Sequence, residues 1–265
     1  MFPQVNITKG DLLRYYQSVA KLILPHLDNR PMTLERMPEG LQSEKSPHFW
    51  QKNTPAYYPK WIPRVRLPTE DDRKVDYLLV NDEPALLWLV NQGVITFHPW
   101  FSTIDDPDRP TFVLFDIDPH QSTFANAVKV AKELHVVLEK EKIKSFVKTT
   151  GKTGLHVMTP WKQKGGFAEA RGWAEKIADR VVAQIPDIAT TERPIANRGQ
   201  RVYLDVQQNS KGKHGVPPYV IRTTPQATIS MPLDWKDLTA RLDPKKFTVK
   251  TPVKRLERVD LNELA

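Results

Sequence analysis

The chain of 265 residues is long enough to bury a sizeable core, either as one large domain or as two small ones. Hydrophobic residues make up 40% and charged residues 26% of it, as in globular proteins, and no apolar run approaches the ~20 residues of a membrane-spanning helix. The sequence contains no cysteine, which excludes disulfides, cysteine-ligated metal centres and thiol nucleophiles.

The net charge of +8 predicts a polyanionic partner, because 39 Lys and Arg oppose 31 Asp and Glu. Nucleic acid and an anionic lipid surface both fit this charge, and a basic protein without such a partner is the alternative. The first residues lack the basic-then-apolar pattern of a secretory signal, so we expect a cytoplasmic protein.

The first hundred residues predict helices that alternate with short strands. Thr8 and Asp11 have the spacing of an N-terminal helix cap, and Pro25 ends the amphipathic pattern that follows them. Gly93 separates an apolar helix from a strand. In chain order we predict a helix over 8–24, a loop-rich surface layer with short strands over 30–66, a helix over 85–92 and a strand over 94–98.

The remaining sequence predicts further strands and two longer helices. In chain order these are a strand over 112–117, a helix over 123–142, strands over 145–150 and 155–159, a helix over 167–184, and strands over 201–207 and 219–222. From Trp235 onward the sequence is polar and basic, and it is expected to wrap back over the core or to fray. This order of elements predicts an α+β fold in a single domain over residues 1–265.

Two carboxylates close the apolar strand predicted at 112–117. Side chains alternate between the faces of a strand, so Asp116 and Asp118 emerge on the same side. Divalent cations such as Mg²⁺ and Mn²⁺ prefer oxygen ligands, and a pair of carboxylates with substrate phosphates is a common Mg²⁺ site. The alternative is structural: Asp118 opens a turn at Pro119, and Asp116 caps a neighbouring group.

A third carboxylate, Asp205, lies at the end of another apolar strand. If that strand pairs near the first, Asp205 joins Asp116 and Asp118, and three like charges held together require a cation. Two-metal phosphoryl transfer uses such an arrangement, with the ions ~3.5–4 Å apart. A lone Asp at a strand end is the alternative interpretation.

A glycine-rich turn joins the two strands predicted at 145–159. Its backbone N–H groups, together with Lys152 and the hydroxyl of Thr150, are suited to an anion such as a triphosphate. The glycine spacing fits neither a Walker A loop nor a dinucleotide-binding fingerprint. His156 on the following strand is placed to donate to a phosphate oxygen, although a hydrogen-bonded structural histidine is the more common case.

Aromatic and basic residues alternate in the segment 47–66. Phe49 and Trp50 stand beside Lys52, and further aromatic and cationic side chains follow. Aromatic faces on which bases stack, with cations for the backbone, are typical of single-strand and template binding, at ~1–3 kcal/mol per stacked base. A minor hydrophobic core beneath a proline-rich loop explains the pattern equally well.

Taken in order, these motifs resemble those of one family. The sequences DIDP at 116–119, KTTGKTGLH at 148–156 and VYLDVQQN at 202–209 are similar to the three signature motifs of the archaeo-eukaryotic primase superfamily. More narrowly, the chain resembles the primase-polymerase domain of the prokaryotic end-joining DNA ligase, ligase D. Shorter matches run through nearly the whole chain, among them FWQK at 49–52, FHPW at 97–100 and PYVIR at 218–222.

The resemblance implies a role for each matching residue and a primase-polymerase-like fold, in which two β-rich layers enclose a catalytic cleft. Two Mn²⁺ or Mg²⁺ ions would be ligated by Asp116 and Asp118, and the catalytic one also by Asp205. The triphosphate would be held by Thr150, Lys152, His156, Arg198 and Arg222, with His98 near the ribose. The DNA would contact Phe49 and Trp50 by stacking on the template, Lys52 on its backbone, and Lys9 at a downstream 5′-phosphate.

The function implied by the resemblance is template-directed nucleotide addition at DNA breaks during non-homologous end joining, with a preference for ribonucleotides. The expected partners are DNA ends with a 5′-phosphate, a template strand and NTP or dNTP, with Ku and a separate DNA ligase beside them, near the nucleoid. The sequence lacks the Lys-x-Asp-Gly motif of a ligase module, so we expect a stand-alone polymerase or one domain of a longer chain.

Three other functions remain open at this point. A metal-dependent nuclease also uses clustered carboxylates, a non-catalytic module would bind DNA ends without adding nucleotides, and a de novo primase would share the same carboxylates. Within the second motif the lysine stands one position earlier than in much of the family, because Lys152 precedes Thr153.

Overall fold

Two β-sheets, each covered on one face by helices, build the structure, which confirms the predicted α+β class. The computed structural model describes residues 1–41, 46–69 and 73–264. Its helices are α1 Lys9–Ile23, α2 Glu83–Asn91, α3 Phe124–Lys140, α4 Phe167–Gln184, α5 Ile195–Arg198 and α6 Val253–Leu256. Its strands are β1 Met32–Arg36, β2 Phe49–Gln51, β3 Arg64–Pro68, β4 Lys74–Leu78, β5 Val94–Pro99, β6 Phe112–Asp118, β7 Phe146–Thr149, β8 Leu155–Pro160, β9 Ala189–Thr190, β10 Val202–Asp205 and β11 Pro232–Leu233.

The first sheet is organised around β1. Strand β5 pairs along one edge of β1, while β2 and β4 pair in succession along the other edge, and β3 completes the sheet beside β4. All five residues of β1 are buried, whereas β2 and β3 are largely exposed. The sequence-based interpretation of 30–66 as a surface layer is therefore wrong for β1, because strands on both sides bury it.

Helices α1 and α2 cover one face of the first sheet. Helix α1 begins at a capping box, in which Thr8 accepts from the N–H of Asp11 and the Asp11 side chain accepts from the N–H of Thr8, as predicted. From α1, Tyr16 packs edge-to-face on Phe97 of β5 at 5.4 Å. Residues of β1 and β5 therefore alternate between this apolar side and the opposite face of the sheet.

The second sheet has six strands in the order β11-β7-β8-β6-β10-β9. Helices α3 and α4 pack on one face of it, where Phe115 of β6 contacts Trp173 of α4 at 6.0 Å. The other face is divided along the strands. Its apolar half forms a small core cluster with residues from the end of the chain, composed of Phe101, Phe112, Leu114, Phe146, Met158, Phe167, Leu261 and Leu264. Its polar half carries the predicted carboxylates.

The segment from Trp235 onward wraps back over the core, which was one of the two expectations for it. Trp235 stacks on His135 of α3 at 4.0 Å and donates to the carbonyl of Ser145 at 2.9 Å. The strand predicted at 219–222 is wrong, because Tyr219 has a φ of 66° and Ile221 pairs only through an isolated bridge to Ile229. Within the described ranges, no helix is both long enough and apolar enough to cross a membrane.

A buried hydroxyl joins α1 to both β5 and the C-terminal segment. Tyr16 Oη donates to the carbonyl of Ile95 at 2.6 Å and accepts from the N–H of Ile221 at 3.1 Å. Removing that oxygen leaves two buried backbone groups without a partner, and each such group typically costs ~1–3 kcal/mol.

We expect Tyr16→Phe to lower the free energy of unfolding by about 2 kcal/mol, measured by urea denaturation. The matched control is Tyr57→Phe, since Tyr57 is 69% exposed and exposed substitutions usually change stability by less than ~0.5 kcal/mol. Equal stability losses in the two variants would contradict this role of the Tyr16 hydroxyl.

Candidate active site

A row of four ionisable side chains crosses the polar half of the second sheet. Asp205 of β10 lies directly opposite Asp116 of β6, Asp116 lies opposite His156 of β8, and His156 lies opposite Lys148 of β7. Residues that face each other across antiparallel strands project from the same face. The predicted pairing of the two carboxylate-bearing strands is thus present, and it places Asp116 and Asp205 side by side.

Asp118 lies one pleat further along β6, opposite Tyr203, so all three carboxylates project from the same face. Asp118 accepts from the N–H of His120 at 3.0 Å, and Asp205 accepts from the N–H of Gln207 at 2.7 Å. Each hydrogen bond begins the turn that ends its strand.

Asp116 and Asp205 carry like charges, so each repels the other when both are ionised. Burial, and then the negative charge of Asp116, raise the pKa of Asp205 above its ordinary value. Among the residues that the structure describes, no three Asp, Glu or His side chains are already arranged to hold a metal ion. The donor set nevertheless fits a hard divalent cation, because it offers carboxylate oxygens that repel each other without one.

The turn between β7 and β8 lies beside this row. The Thr150 hydroxyl accepts from the N–H groups of Lys152 and Gly154, both at 3.2 Å, and thereby shapes the turn. Gly151 has a φ of 72°, and a Cβ there would stand 2.5 Å from Cγ of Arg222. Arg222 in turn donates to the Thr150 carbonyl at 2.6 Å. The turn therefore requires glycine at 151, and it holds the Arg222 guanidinium against the site.

The polar face of the first sheet forms the opposite wall. Glu35 of β1 accepts from the hydroxyl of Thr223 at 2.9 Å and lies 3.6 Å from Nε2 of His98 on β5. Burial opposes ionisation of Glu35, but the contacts with His98 and Thr223 outweigh it and lower the pKa of Glu35 to about 2. Burial lowers the pKa of His98. Arg222 interacts electrostatically with Glu35 and with Asp116, so it links the two walls.

Three rings meet at the edge of this wall. Trp50 contacts His98 at 4.7 Å and His214 at 5.9 Å between ring centroids, and the two histidines lie 5.4 Å apart. Trp50 is 50% exposed, so its outer surface is free to stack. Phe49 projects from the other face of β2, where the Arg36 guanidinium lies 5.1 Å above its ring. Of the predicted aromatic pair, only Trp50 therefore lies at the site.

Several buried polar atoms of this region have no hydrogen-bond partner within the part of the chain that the structure describes. They are Nε2 of His98, Nδ1 of His214, Nε of Arg222 and Oγ1 of Thr33. Buried polar groups are normally satisfied, so these atoms are available to ordered water or to a polar ligand.

A cleft of about 1190 Å³ opens beside the three rings. Its lining includes six cationic side chains: Lys52, Arg73, Lys74, Arg171, Lys211 and Lys213. No Asp or Glu of the described ranges lines it. Such a surface concentrates positive potential where a polyanion would enter the site.

The remaining predicted residues lie further out. Arg198 of α5 stacks on the ring of Tyr203 at 3.6 Å, donates to the carbonyls of Glu192 and Arg193, and its charge acts on Asp205. Lys9 donates to the carbonyl of Asn91 at 3.1 Å, at the end of α2, and so belongs to the helical layer behind the first sheet.

Two residues of the site escaped the sequence analysis. Glu35 is one charged side chain in an apolar strand, and only its alternation with Leu34 indicated that it faces away from the helices. His214 stands in a short basic run that carries no pattern of its own. Strand pairing places Glu35 at the site, and the path of a loop places His214 there. The local periodicity of the sequence predicts neither position.

Comparisons with known proteins identify the family of the chain. A family model described as "LigD, primase-polymerase domain" matches residues 8–262. The chain is 33% identical over 260 residues to the bifunctional non-homologous end joining protein LigD of Bacillus subtilis (strain 168), covering 97% of this chain and 41% of that protein. It is 27% identical over 247 residues to the multifunctional non-homologous end joining DNA repair protein LigD of Mycobacterium tuberculosis, covering 90% and 32% respectively.

Among solved structures, the polymerase domain from Mycobacterium tuberculosis ligase D in complex with DNA superposes with a TM-score of 0.84 at 25% identity. The match covers 91% of this chain and 86% of that one. The chain spans less than half the length of the two LigD proteins described above.

Burial lowers the pKa of His214 to about 3, well below the ~6.5 of an unfolded histidine. The unfolded state therefore takes up a proton between these two pH values that the folded state does not, and stability falls as the pH falls below ~6.5. We expect the wild-type protein to lose roughly 1–2 kcal/mol more than His214→Gln between about pH 7 and pH 5, measured by urea unfolding. Equal losses would show that folding does not lower the pKa of His214.

Proposed function

The chain belongs to the LigD primase-polymerase family, and we propose that it is a metal-dependent, template-directed nucleotidyltransferase that fills gaps and extends 3′ ends at DNA breaks in non-homologous end joining. The observation that carries the proposal is the pairing of Asp205 with Asp116 across β10 and β6, beside the turn that starts at Thr150. Two repelling carboxylates next to an anion-binding turn are the two halves of a site for a metal-complexed triphosphate.

Asp116 and Asp118 would ligate two divalent ions, Mn²⁺ or Mg²⁺, and Asp205 would ligate the one nearer the primer terminus. When bound, the ions would lower the pKa of the primer 3′-hydroxyl and neutralise charge on the reacting phosphate. Asp205 already sits where the like charge of Asp116 is costly, which is the electrostatic reason to place a cation there.

The triphosphate would lie along the turn and against the cations that surround it. Thr150 shapes the turn, Lys152 extends from it, and Arg222 reaches it from the other wall. His156 and Arg198 flank the carboxylates on either side. In phosphoryl transfer, positioning and charge stabilisation supply most of the rate, so these side chains would hold the nucleotide in line with the primer.

The sugar of the incoming nucleotide would meet the first sheet. His98 is buried, and its Nε2 has no hydrogen-bond partner in the described ranges. A ribose 2′-hydroxyl is both donor and acceptor, and it would give that nitrogen a hydrogen bond, whereas a deoxyribose would leave it with only the Glu35 carboxylate at 3.6 Å. This difference supports a preference for ribonucleotides.

The DNA would approach along the basic cleft. Trp50 offers a half-exposed ring for the templating base, and Lys52, two residues further on, lines the cleft. Phe49 would contact the strand on the outer face of β2, and Lys9 a downstream 5′-phosphate at the helical layer. By family resemblance alone, we further propose Ku and a DNA ligase as partners in the same repair.

The deciding experiment is primer extension on a gapped, 5′-phosphorylated duplex with Mg²⁺ or Mn²⁺ and with UTP or dTTP. We expect addition of one or a few nucleotides, with UTP preferred, and a loss of roughly 10³-fold or more in Asp116→Asn and Asp205→Asn. DNA binding by both variants, followed by fluorescence anisotropy without nucleotide, should stay near the wild-type value.

Three outcomes would overturn the proposal. Degradation of the labelled strand without added triphosphate identifies a nuclease. Binding without any extension identifies an end-binding module. Normal extension by either Asp variant removes that residue from the reaction.

The basic cleft predicts a salt-dependent affinity for DNA. If Lys213 contacts a phosphate, Lys213→Ala should reduce the slope of log K against log salt by about 0.7–0.9 between about 50 and 200 mM salt. The matched control is Lys129→Ala, because Lys129 is exposed on α3, the helix behind the second sheet. Equal slopes for all three proteins would place the DNA elsewhere.

A further inference from the structure

Asn209 is a fully buried amide in the turn that follows β10. It is 0% exposed. Its Oδ1 accepts from the N–H of Leu114 on β6 at 2.9 Å. Its Nδ2 donates to the carbonyl of Leu114 at 2.7 Å and to the carbonyl of Val206 at 2.8 Å. Both hydrogens of the side chain and its oxygen therefore have partners.

The orientation of this amide follows from its partners. The N–H of Leu114 can only donate, so the side-chain atom that it contacts is the oxygen. The two carbonyls can only accept, so the atom that faces them is the nitrogen. None of these groups titrates, and the arrangement is therefore independent of pH in the folded protein.

The amide occupies the place of a strand backbone. In the pairing of β10 with β6, Asp205 lies opposite Asp116, and two residues further the same register would bring Gln207 opposite Leu114. The chain turns away instead, at a turn in which the Asp205 side chain accepts from the N–H of Gln207. The N–H and the carbonyl of Leu114, which a longer β10 would pair, bind the Asn209 amide.

We propose that Asn209 is a positioning residue, whose side-chain amide continues the pairing of β6 beyond the end of β10 and thereby fixes Asp205 beside Asp116. Asp205 is the last residue of β10, so its place depends on the turn as well as on the strand. The position of the amide stands on hydrogen-bond geometry. The metal ion that Asp205 and Asp116 would share rests on the proposed function.

Strand β10 has little else to hold it at this end. Its other neighbour, β9, is two residues long and pairs with Val202 and Tyr203, not with Asp205. Strand β6, in contrast, is paired with β8 along six residues. Loss of the amide would therefore displace the turn and the end of β10, while Asp116 on β6 stays in place.

The position of the amide is measured by hydrogen exchange, followed by NMR of the metal-free protein without DNA or nucleotide. We expect the N–H of Leu114 and the side-chain NH₂ of Asn209 to exchange slowly, as hydrogen-bonded groups of a stable core do. Rapid exchange of either group in the wild-type protein overturns the proposal without any variant.

Asn209→Leu keeps the approximate volume of the side chain and removes its three hydrogen bonds. We expect faster exchange of the β10 amides and a Mn²⁺ affinity about 10-fold lower, measured without nucleotide by titration calorimetry, as is usual when a residue that orients a metal ligand is lost. In primer extension, kcat should fall by a similar factor and the KM for NTP should change less. The proposed triphosphate site at Thr150 and Arg222 does not depend on β10.

Trp235→Phe is the matched control for a general loss of stability. It removes the hydrogen bond to the carbonyl of Ser145, beyond β11 at the opposite edge of the sheet from β9 and β10. We expect this variant to be less stable in urea but to keep the wild-type Mn²⁺ affinity and kcat. Equal losses of Mn²⁺ affinity in the two variants would show that Asn209 acts only through overall stability, which overturns the proposal.

If Asn209→Leu does not fold, Asn209→Ala takes its place, because the smaller side chain admits water to the two backbone groups of Leu114. The same loss of Mn²⁺ affinity relative to Trp235→Phe is expected, and a wild-type affinity overturns the proposal.

Failure of this proposal is distinguishable from failure of the proposed function. If the wild-type protein binds Mn²⁺ but extends no primer, the proposed function is wrong, and the Mn²⁺ affinities still decide the role of Asn209. If Asn209→Leu keeps the wild-type Mn²⁺ affinity and kcat, the positioning role is wrong, and the proposed function stands.

Discussion

The pairing of β10 with β6 determines where everything else in the site lies. Because Asp205 stands opposite Asp116, the two carboxylates share a face, and burial together with the charge of Asp116 raises the pKa of Asp205. A shift of one residue in this pairing would turn Asp205 to the face covered by α3 and α4. The side chains of Asp118 and Asp205 accept hydrogen bonds in the turns that follow β6 and β10. The carboxylates of the site therefore also fix where these two strands end.

Arg222 connects the two sheets across the site. Its guanidinium donates to the Thr150 carbonyl from a buried position and acts on the charges of Glu35 and Asp116. The carboxylates of Glu35 and Asp116 would otherwise repel each other across the site, and the buried guanidinium of Arg222 interacts with both. The segment that carries Arg222 is held in turn by Tyr16, whose hydroxyl accepts from the N–H of Ile221. Helix α1, which packs behind the first sheet, thus helps to position the Arg222 guanidinium in front of it.

Much of the fold could be predicted from local patterns. Helices α1, α3 and α4 have strong amphipathic periodicity. The alternation of side chains along β6 is enough to place Asp116 and Asp118 on one face, without knowledge of the strand pairing. The same alternation also separates Phe49 from Trp50, since neighbours in a strand face opposite ways. Family resemblance instead groups them as a stacking pair.

What the sequence does not encode locally is which strands become neighbours. The apolar run at 219–222 has the composition of a strand, yet no strand of the described ranges continues along it, and only an isolated bridge forms. The burial of β1 likewise depends on β2, β4 and β5 arriving from distant parts of the chain. Glu35 and His214 lie at the site because of such long-range contacts, which no local sequence motif predicts.

The close approach of Gly151 to the Arg222 side chain means that substitutions at these two distant positions are not independent. Any side chain at 151 would displace the arginine stem, and its Cβ would also stand 3.0 Å from the backbone of Ile229 at a φ of 72°, which L side chains rarely adopt. Homologues that lose the glycine are therefore expected to have changed the arginine as well. Such paired substitutions would identify homologues in which the proposed triphosphate site has a different structure or has been lost.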